Sequence, residues 1–262
     1  PAIMTTDQSG CERGYVRSSW IASNEFNDGD NPHPENPDCN YTSSFNGTSS
    51  AAPSVSGGIA LILEQEPELT FRDVKGIIAA TARKVDTDFE PVVLDGITYY
   101  DWVENAAGYS HHSWYGFGAL DVDAAIEMLA DYNLATLGDQ TISPWEDHAS
   151  EIVVSVPARG EATASVESTV DGTIEFVRVR LDLAAPGIQQ MGVRLTSPAG
   201  TTVTLFQPKT PIDIDPEGVI YLATSALYGE TTQGTWTLRL FDHEEDGLDI
   251  TLNAWAIKFF YY

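Results

Sequence analysis

The chain has 262 residues, of which 42% are hydrophobic and 20% charged, and its 13 basic and 39 acidic residues give a formal charge of −26. That apolar content supports a packed core and excludes a largely disordered chain; the length predicts one or two domains. No apolar run approaches the ~20 residues that span a bilayer. The acidity argues against nucleic acid as a partner, because phosphate binding needs clustered Lys and Arg. It suits solubility in salt, calcium binding or attraction of basic peptides. The chain opens at Pro1 with neither Met nor a signal peptide, which reads as a processed product or a piece of a longer one.

The two cysteines, Cys11 and Cys39, flank a stretch rich in Asn, Asp, Pro and Ser that reads as a loop. A bridge across it would stabilise by roughly 3–4 kcal/mol on the loop-entropy argument and favours an exported protein. A zinc site is the weaker alternative, since His33 is the nearest histidine and no second cysteine pair exists; two unpaired thiols are the plainest one. Asn24, Asn27, Asp28 and Asp30 cluster inside this loop and are candidate calcium ligands.

Ser50 to Glu66 is rich in small residues, then apolar nearly all round, and stops at Pro67, which predicts a buried helix with Pro53 in its first turn. Thr70 followed by Asp73 predicts a capped second helix with Val74, Ile77, Ile78 and Thr81 at helical spacing. A third, short helix is expected over Val122–Ala130, capped by Asp121, with Ile126, Leu129 and Ala130 on one face. After Gly138 the helical spacing gives way to alternation. Val177, Val179, Leu181 and Leu183 point one way, and the same period runs through Met191, Val193 and Leu195 and through Trp236, Leu238 and Leu240. Turns such as Ser197-Pro198-Ala199-Gly200 separate these strands, so an antiparallel, jelly-roll-like β-sandwich is expected over 138–262, following an α/β-like piece over 1–137. Met191, Trp236, Trp255 and Phe259 read as sandwich core; a carbohydrate-binding face is the alternative.

The segment Phe45-Asn46-Gly47-Thr48-Ser49-Ser50-Ala51-Ala52-Pro53 carries the chemistry. Ser49 sits where a glycine turn enters a helix, whose first N–H groups are free and whose dipole is positive there. An oxyanion beside Ser49 could accept its backbone N–H, and the small neighbours leave room for a substrate backbone. On spacing alone, the plainer reading is that Thr48 or Ser49 caps the helix. The Asn40 and Asn46 glycosylation sequons carry little weight, because a glycan at Asn46 would obstruct Ser49.

Gly47-Thr48-Ser49-x-Ala51-x-Pro53, followed by Ser56-Gly57 and an apolar helix, resembles the nucleophile segment of the subtilisin-like serine proteases. Ile3-Met4-Thr5-Thr6-Asp7, Leu69-Thr70-Phe71-Arg72-Asp73-Val74 and Tyr115-Gly116-Phe117-Gly118-Ala119-Leu120-Asp121 are similar to the kexin and furin branch, the proprotein convertases. Leu195-Thr196-Ser197-Pro198-Ala199-Gly200 and Gly234-Thr235-Trp236-Thr237-Leu238 resemble the signatures of that branch's P domain. The opening heptapeptide and the cysteine-flanked insertion are most similar to secreted kexin-like proteases of Gram-negative bacteria.

The resemblance implies the C-terminal part of a doubly wound parallel-sheet catalytic domain (1–137), then a P domain (138–262) that stabilises it. It implies Ser49 as the nucleophile of a secreted or periplasmic endopeptidase acting on polypeptides, with cleavage after basic residues as the family habit. The family order is Asp, His, Ser, with both partners and the oxyanion Asn well upstream. Only 48 residues precede Ser49, and His33 among them lies in no family motif, so these groups and most parallel strands are expected on an N-terminal remainder. Without it, residues 1–137 are expected to be poorly stable and the apolar helix to be uncovered. His111 and His112 follow the serine and are expected to be structural. Asp242, Glu244 and Asp246, with Glu245 and Asp249, crowd around Gly247, and oxygen ligands on a tight turn suit calcium; a solvated acidic hairpin tip is the alternative. The resemblance implies structural calcium as well, with its best-known ligands upstream of this chain. A non-catalytic β-sandwich binding module with a protease remnant is the rival reading.

Overall fold

The computed structural model describes residues 3–16, 27–28, 31–134, 137–147, 153–185, 188–210, 217–247 and 249–262. The chain folds as two compact units, Pro1–Pro67 and Glu68–Tyr262. In the first, β1 (Ile3–Thr6) pairs antiparallel with β2 (Tyr41–Phe45), with Thr5 opposite Thr42. Cys11 and Cys39 are disulfide-bonded, their Cα atoms 5.0 Å apart, so the cysteine loop is closed by a bridge. Helix α1 (Thr48–Gln65) follows. Its sequence predicts burial, yet Leu61 is 52% and Val55 40% exposed, and only Ser50, Gly58 and Ile62 are buried. The apolar surface is there, but the described residues of the unit leave most of it uncovered.

In the second unit α2 (Phe71–Thr81) begins with a complete capping box: Thr70 Oγ1 accepts the Asp73 N–H, and Asp73 accepts the Thr70 N–H at 2.8 Å. Tyr132 also donates its hydroxyl to Asp73, at 2.7 Å. Burial pushes the Asp73 carboxyl up, but the hydrogen bonds from Thr70 and Tyr132 outweigh it and hold it below the usual carboxylate range. Two hairpins follow, β3 (Val92–Leu94) with β4 (Ile97–Tyr100) and β5 (Trp102–Glu104) with β6 (Ser110–His112). The first turns on Asp95-Gly96, both at positive φ, as a tight two-residue hairpin requires. Helix α3 (Val122–Leu129) is capped by Asp121, which accepts the Ala124 N–H at 3.0 Å; its buried residue is Ala125, while Ala130 is exposed.

The sandwich has two antiparallel sheets. Strands β7 (Glu161–Ser168), β12 (Gly234–Asp242), β9 (Met191–Thr196) and β10 (Thr202–Phe206) lie in that order in one. In the other, β13 (Ile250–Tyr261), β8 (Ile174–Ala184) and β11 (Glu217–Thr224) lie side by side. The short segments Thr141–Ile142, Glu146–Asp147 and Val154–Val156 pair along β13. Val177, Val179, Leu181, Met191, Val193, Leu195, Trp236, Leu238 and Leu240 are all fully buried between the sheets with Trp255 and Phe259, as alternation predicts.

The strand pattern starts after Gly138, but the compact unit starts at Glu68, because residues 68–137 pack on the sandwich. Arg72 Nε donates to Glu175 at 2.8 Å, Arg72 Nη1 to the Gly138 carbonyl at 2.6 Å, and Gln140 to the other Glu175 oxygen at 2.9 Å. Lys75 Nζ reaches the Glu175 carbonyl at 2.9 Å. Asn105 bridges the carbonyls of Ala226 and Tyr228 at 3.0 and 2.9 Å.

Arg72→Met strands the Glu175 carboxylate in the interior and is expected to destabilise this unit by about 3–5 kcal/mol, with Arg72→Met/Glu175→Leu recovering most of the loss. Urea unfolding followed by tryptophan fluorescence reads both; equal losses in the single and double variants would contradict the stranded-charge explanation. Asp73, with its carboxyl held low, stabilises above its unfolded range, and that contribution disappears as pH falls through the folded-state value. Asp73→Asn should therefore flatten the acid limb of the stability–pH curve; an unchanged limb refutes this.

Candidate active site

Ser49 is the second residue of α1, exposed, directly after the turn that leaves β2. The turn depends on Gly47, whose φ of 73° with ψ of −160° is a conformation essentially reserved for glycine. The Gly47 carbonyl accepts the Ser50 and Ala51 N–H groups, at 3.1 and 3.2 Å, and the Ser50 hydroxyl at 2.8 Å. Ser50 is thus the buried serine that steadies the first turn. Ser49 caps nothing: the helix start has no side-chain cap, and among the described residues the Ser49 hydroxyl makes no hydrogen bond. Its backbone N–H stands in the first turn, where no helical carbonyl precedes it. Ala51 and Ala52 are exposed beside it.

Pro53 is the sixth residue of α1, well inside it rather than in its first turn. A proline there has no N–H for the carbonyl four residues back, which is that of Ser49. The serine's own peptide group is therefore released from the helical ladder on both sides. The four-residue spacing in the sequence was the available signal.

The other candidates have structural partners. His33 Nδ1 accepts the Glu35 N–H at 3.2 Å. His112 is fully buried, accepts the Trp114 N–H at 3.0 Å and stacks on Tyr115. Burial, followed by the neighbouring His112, pushes His111 down to about 4. At the acidic hairpin, Asp242 accepts the Glu244 N–H at 3.0 Å, and the Gln190 amide donates to Glu244 and Asp246 at 2.8 and 3.1 Å. Glu245 pairs with Arg159 at 3.8 Å, and Asp249 accepts from Ser155 and Ala158 at 3.3 Å. Among the described residues no group of three or more His, Cys, Asp or Glu side chains is gathered as metal ligands. The side chains of Asn24, Asn27, Asp28 and Asp30 lie outside the described residues.

The sequence pattern of the subtilase family matches residues 21–118, which include this strand–glycine–helix segment, and that of the proprotein convertase P-domain matches 174–259. The chain belongs to the subtilase family, in its kexin-like branch. An extracellular serine protease of Aeromonas sobria is 30% identical over 92% of this chain and 42% of its own length. Human proprotein convertase subtilisin/kexin type 7 is 29% identical over 84% of this chain and 27% of its own. The crystal structure of a serine protease of Aeromonas sobria superposes with a TM-score of 0.86 at 25% identity, over all of this chain and 51% of that one; its complex with a chaperone gives 0.83. This subtilase chain thus spans about half or less of the length of these relatives. None of its described helices is long and apolar enough to cross a membrane.

Gly47→Ala forces a side chain into a strained backbone conformation, about 1–3 kcal/mol unfavourable, and moves the start of α1. In the full-length protein it should slow active-site serine labelling by at least about tenfold while leaving the unfolding of the Glu68–Tyr262 unit unchanged. Unaltered labelling would show that the turn does not aim Ser49.

Proposed function

We propose that this chain is the nucleophile-bearing end and P domain of a secreted serine endopeptidase of the kexin type. The single observation that carries the reading is Ser49: exposed, free of a capping role, and set at a helix N-terminus by Gly47. Its hydroxyl attacks the scissile carbonyl carbon. A histidine on the preceding segment accepts the hydroxyl proton and returns it to the leaving amine, and an aspartate orients that histidine. The developing oxyanion accepts the Ser49 backbone N–H and an asparagine amide. Water then attacks the acyl-enzyme and releases the second product. The substrates are polypeptides, with basic residues preferred at the cleavage site; the −26 charge favours their approach.

The P domain serves as the platform for the end of the catalytic domain. Supporting this, α2 is bonded to the sandwich through Arg72 and Lys75 and the second hairpin through Asn105, while Asp95 and Tyr99 of the first hairpin meet His243 just after β12; these helix and hairpin residues all lie inside the subtilase match. The preceding segment provides the cover for α1 and the missing triad members.

A fluorophosphonate probe tests the reading on the full-length protein. Wild type should be labelled covalently at Ser49, and Ser49→Ala should lose labelling and peptide hydrolysis by about 10⁴-fold or more while keeping its fold. Folded wild-type protein that takes no label would overturn the protease reading and leave a non-catalytic β-sandwich binding module.

A further inference from the structure

Arg194 lies in β9, opposite Thr204 of β10 and Arg239 of β12. Its neighbours Val193 and Leu195 point into the sandwich core, so Arg194 projects from the opposite face of the sheet. That face is roofed by the hairpins. A side chain at Gly192 would stand 2.0 Å from the Tyr99 hydroxyl, and Thr98, Asp101, His111 and Ser113 line a cavity of about 110 Å³ with Arg194, Thr202 and Thr204.

Arg194 Nε is buried without a hydrogen bond, and among the described residues the side chain makes neither a hydrogen bond nor an ion pair. Arg239, the like charge beside it, is satisfied by Glu161 at 2.6 Å. An arginine cannot escape by losing its proton in a protein, so a half-buried guanidinium beside a second one, with its Nε buried and unbonded, carries a desolvation cost that a bound anion would offset. Asp101 is the cavity's carboxylate, but it is exposed, accepts the Trp102 N–H at 2.7 Å and forms no ion pair with Arg194. His111, pushed down to about 4 by burial, is neutral near pH 7 and offers one N–H without adding charge. The volume suits a group of four or five heavy atoms with a water or two, since one water occupies about 30 Å³ in the liquid.

We propose that the Arg194 cavity binds a small oxyanion, a carboxylate or a sulfate-sized group, which ties β9 and β10 of the sandwich to the hairpin residues Ser113 and His111. The forked guanidinium donors match the paired oxygens of either group, and the threonine and serine hydroxyls supply the remaining donors. Such an anion would act as a clamp between the hairpins and the sheet, independent of events at Ser49.

Full-length protein crystals soaked in selenate, and in acetate separately, distinguish a tetrahedral occupant from a carboxylate. A selenium anomalous peak, or planar acetate density, within hydrogen-bond reach of Arg194 is expected. In solution, sodium sulfate or sodium acetate titrated at constant ionic strength should raise Tm saturably, by about 2–5 °C. The rise should vanish in Arg194→Gln and shrink in the near-isosteric Thr204→Val, which keeps the test open if Arg194→Gln fails to fold. A cavity holding only water in both soaks, or a Tm response unchanged in Thr204→Val and in a folded Arg194→Gln, would overturn the proposal.

Discussion

The buried carboxylate of Glu175 is the constraint on which the larger unit depends. It stands in the second position of β8, 3% exposed, where an unpaired charge would not be tolerated. Arg72 from α2 and Gln140 from the link before the sandwich both turn to it, and Arg72 also holds the Leu137 and Gly138 carbonyls. One desolvated anion therefore fixes the helix, the connecting segment and the first long strand together. Lys75, one turn further along α2, closes on the Glu175 carbonyl and lies over the rings of Phe176 and Tyr228. The hairpins add contacts of the same kind, polar groups of one segment completing buried groups of the other.

A second such contact was not anticipated. The tip of the first hairpin places Asp95 against His243 Nδ1 at 2.8 Å, and the other ring nitrogen meets the Tyr99 hydroxyl at 2.5 Å. Arg159 completes the chain at 3.3 Å from Asp95. Asp95-Gly96 between two apolar stretches was a readable turn signal, and it predicts the hairpin by itself. Nothing in the spacing of residues 95, 99, 159 and 243 announces that they meet, because their proximity is produced by the docking of the hairpin on the end of β12.

The Ser49 segment is organised differently. Its geometry is local: a strand, a glycine in a conformation other residues avoid, and a helix whose first turn is held by Ser50 and opened by Pro53. Such a site can be read from nine consecutive residues. The helix starts at Thr48, two residues before the expected Ser50, so Pro53 lies beyond its first turn, and its consequence depends on the count from Ser49. The helix behind the site is apolar, as its sequence requires, and yet largely exposed. Composition tells which surface wants cover; it does not say what supplies it.

By itself the sequence determined the segments whose information is short-range. Period-two alternation named the sandwich core, the Thr70 to Asp73 spacing named the start of α2, and Gly47-Thr48-Ser49 named the turn into α1, because each is written in neighbours a few residues apart. The closure of the cysteine loop was favoured by its composition and is realised in the bond between Cys11 and Cys39. Only the tertiary structure decided that residues 68–137 form one compact unit with the sandwich, that the acids around Gly247 meet Gln190, Arg159, Ser155 and Ala158, and that Arg194 stands half-buried with no ion pair among the described residues. The reason is physical: burial and charge pairing are properties of what the chain brings together, and partners a hundred residues apart leave no periodic trace.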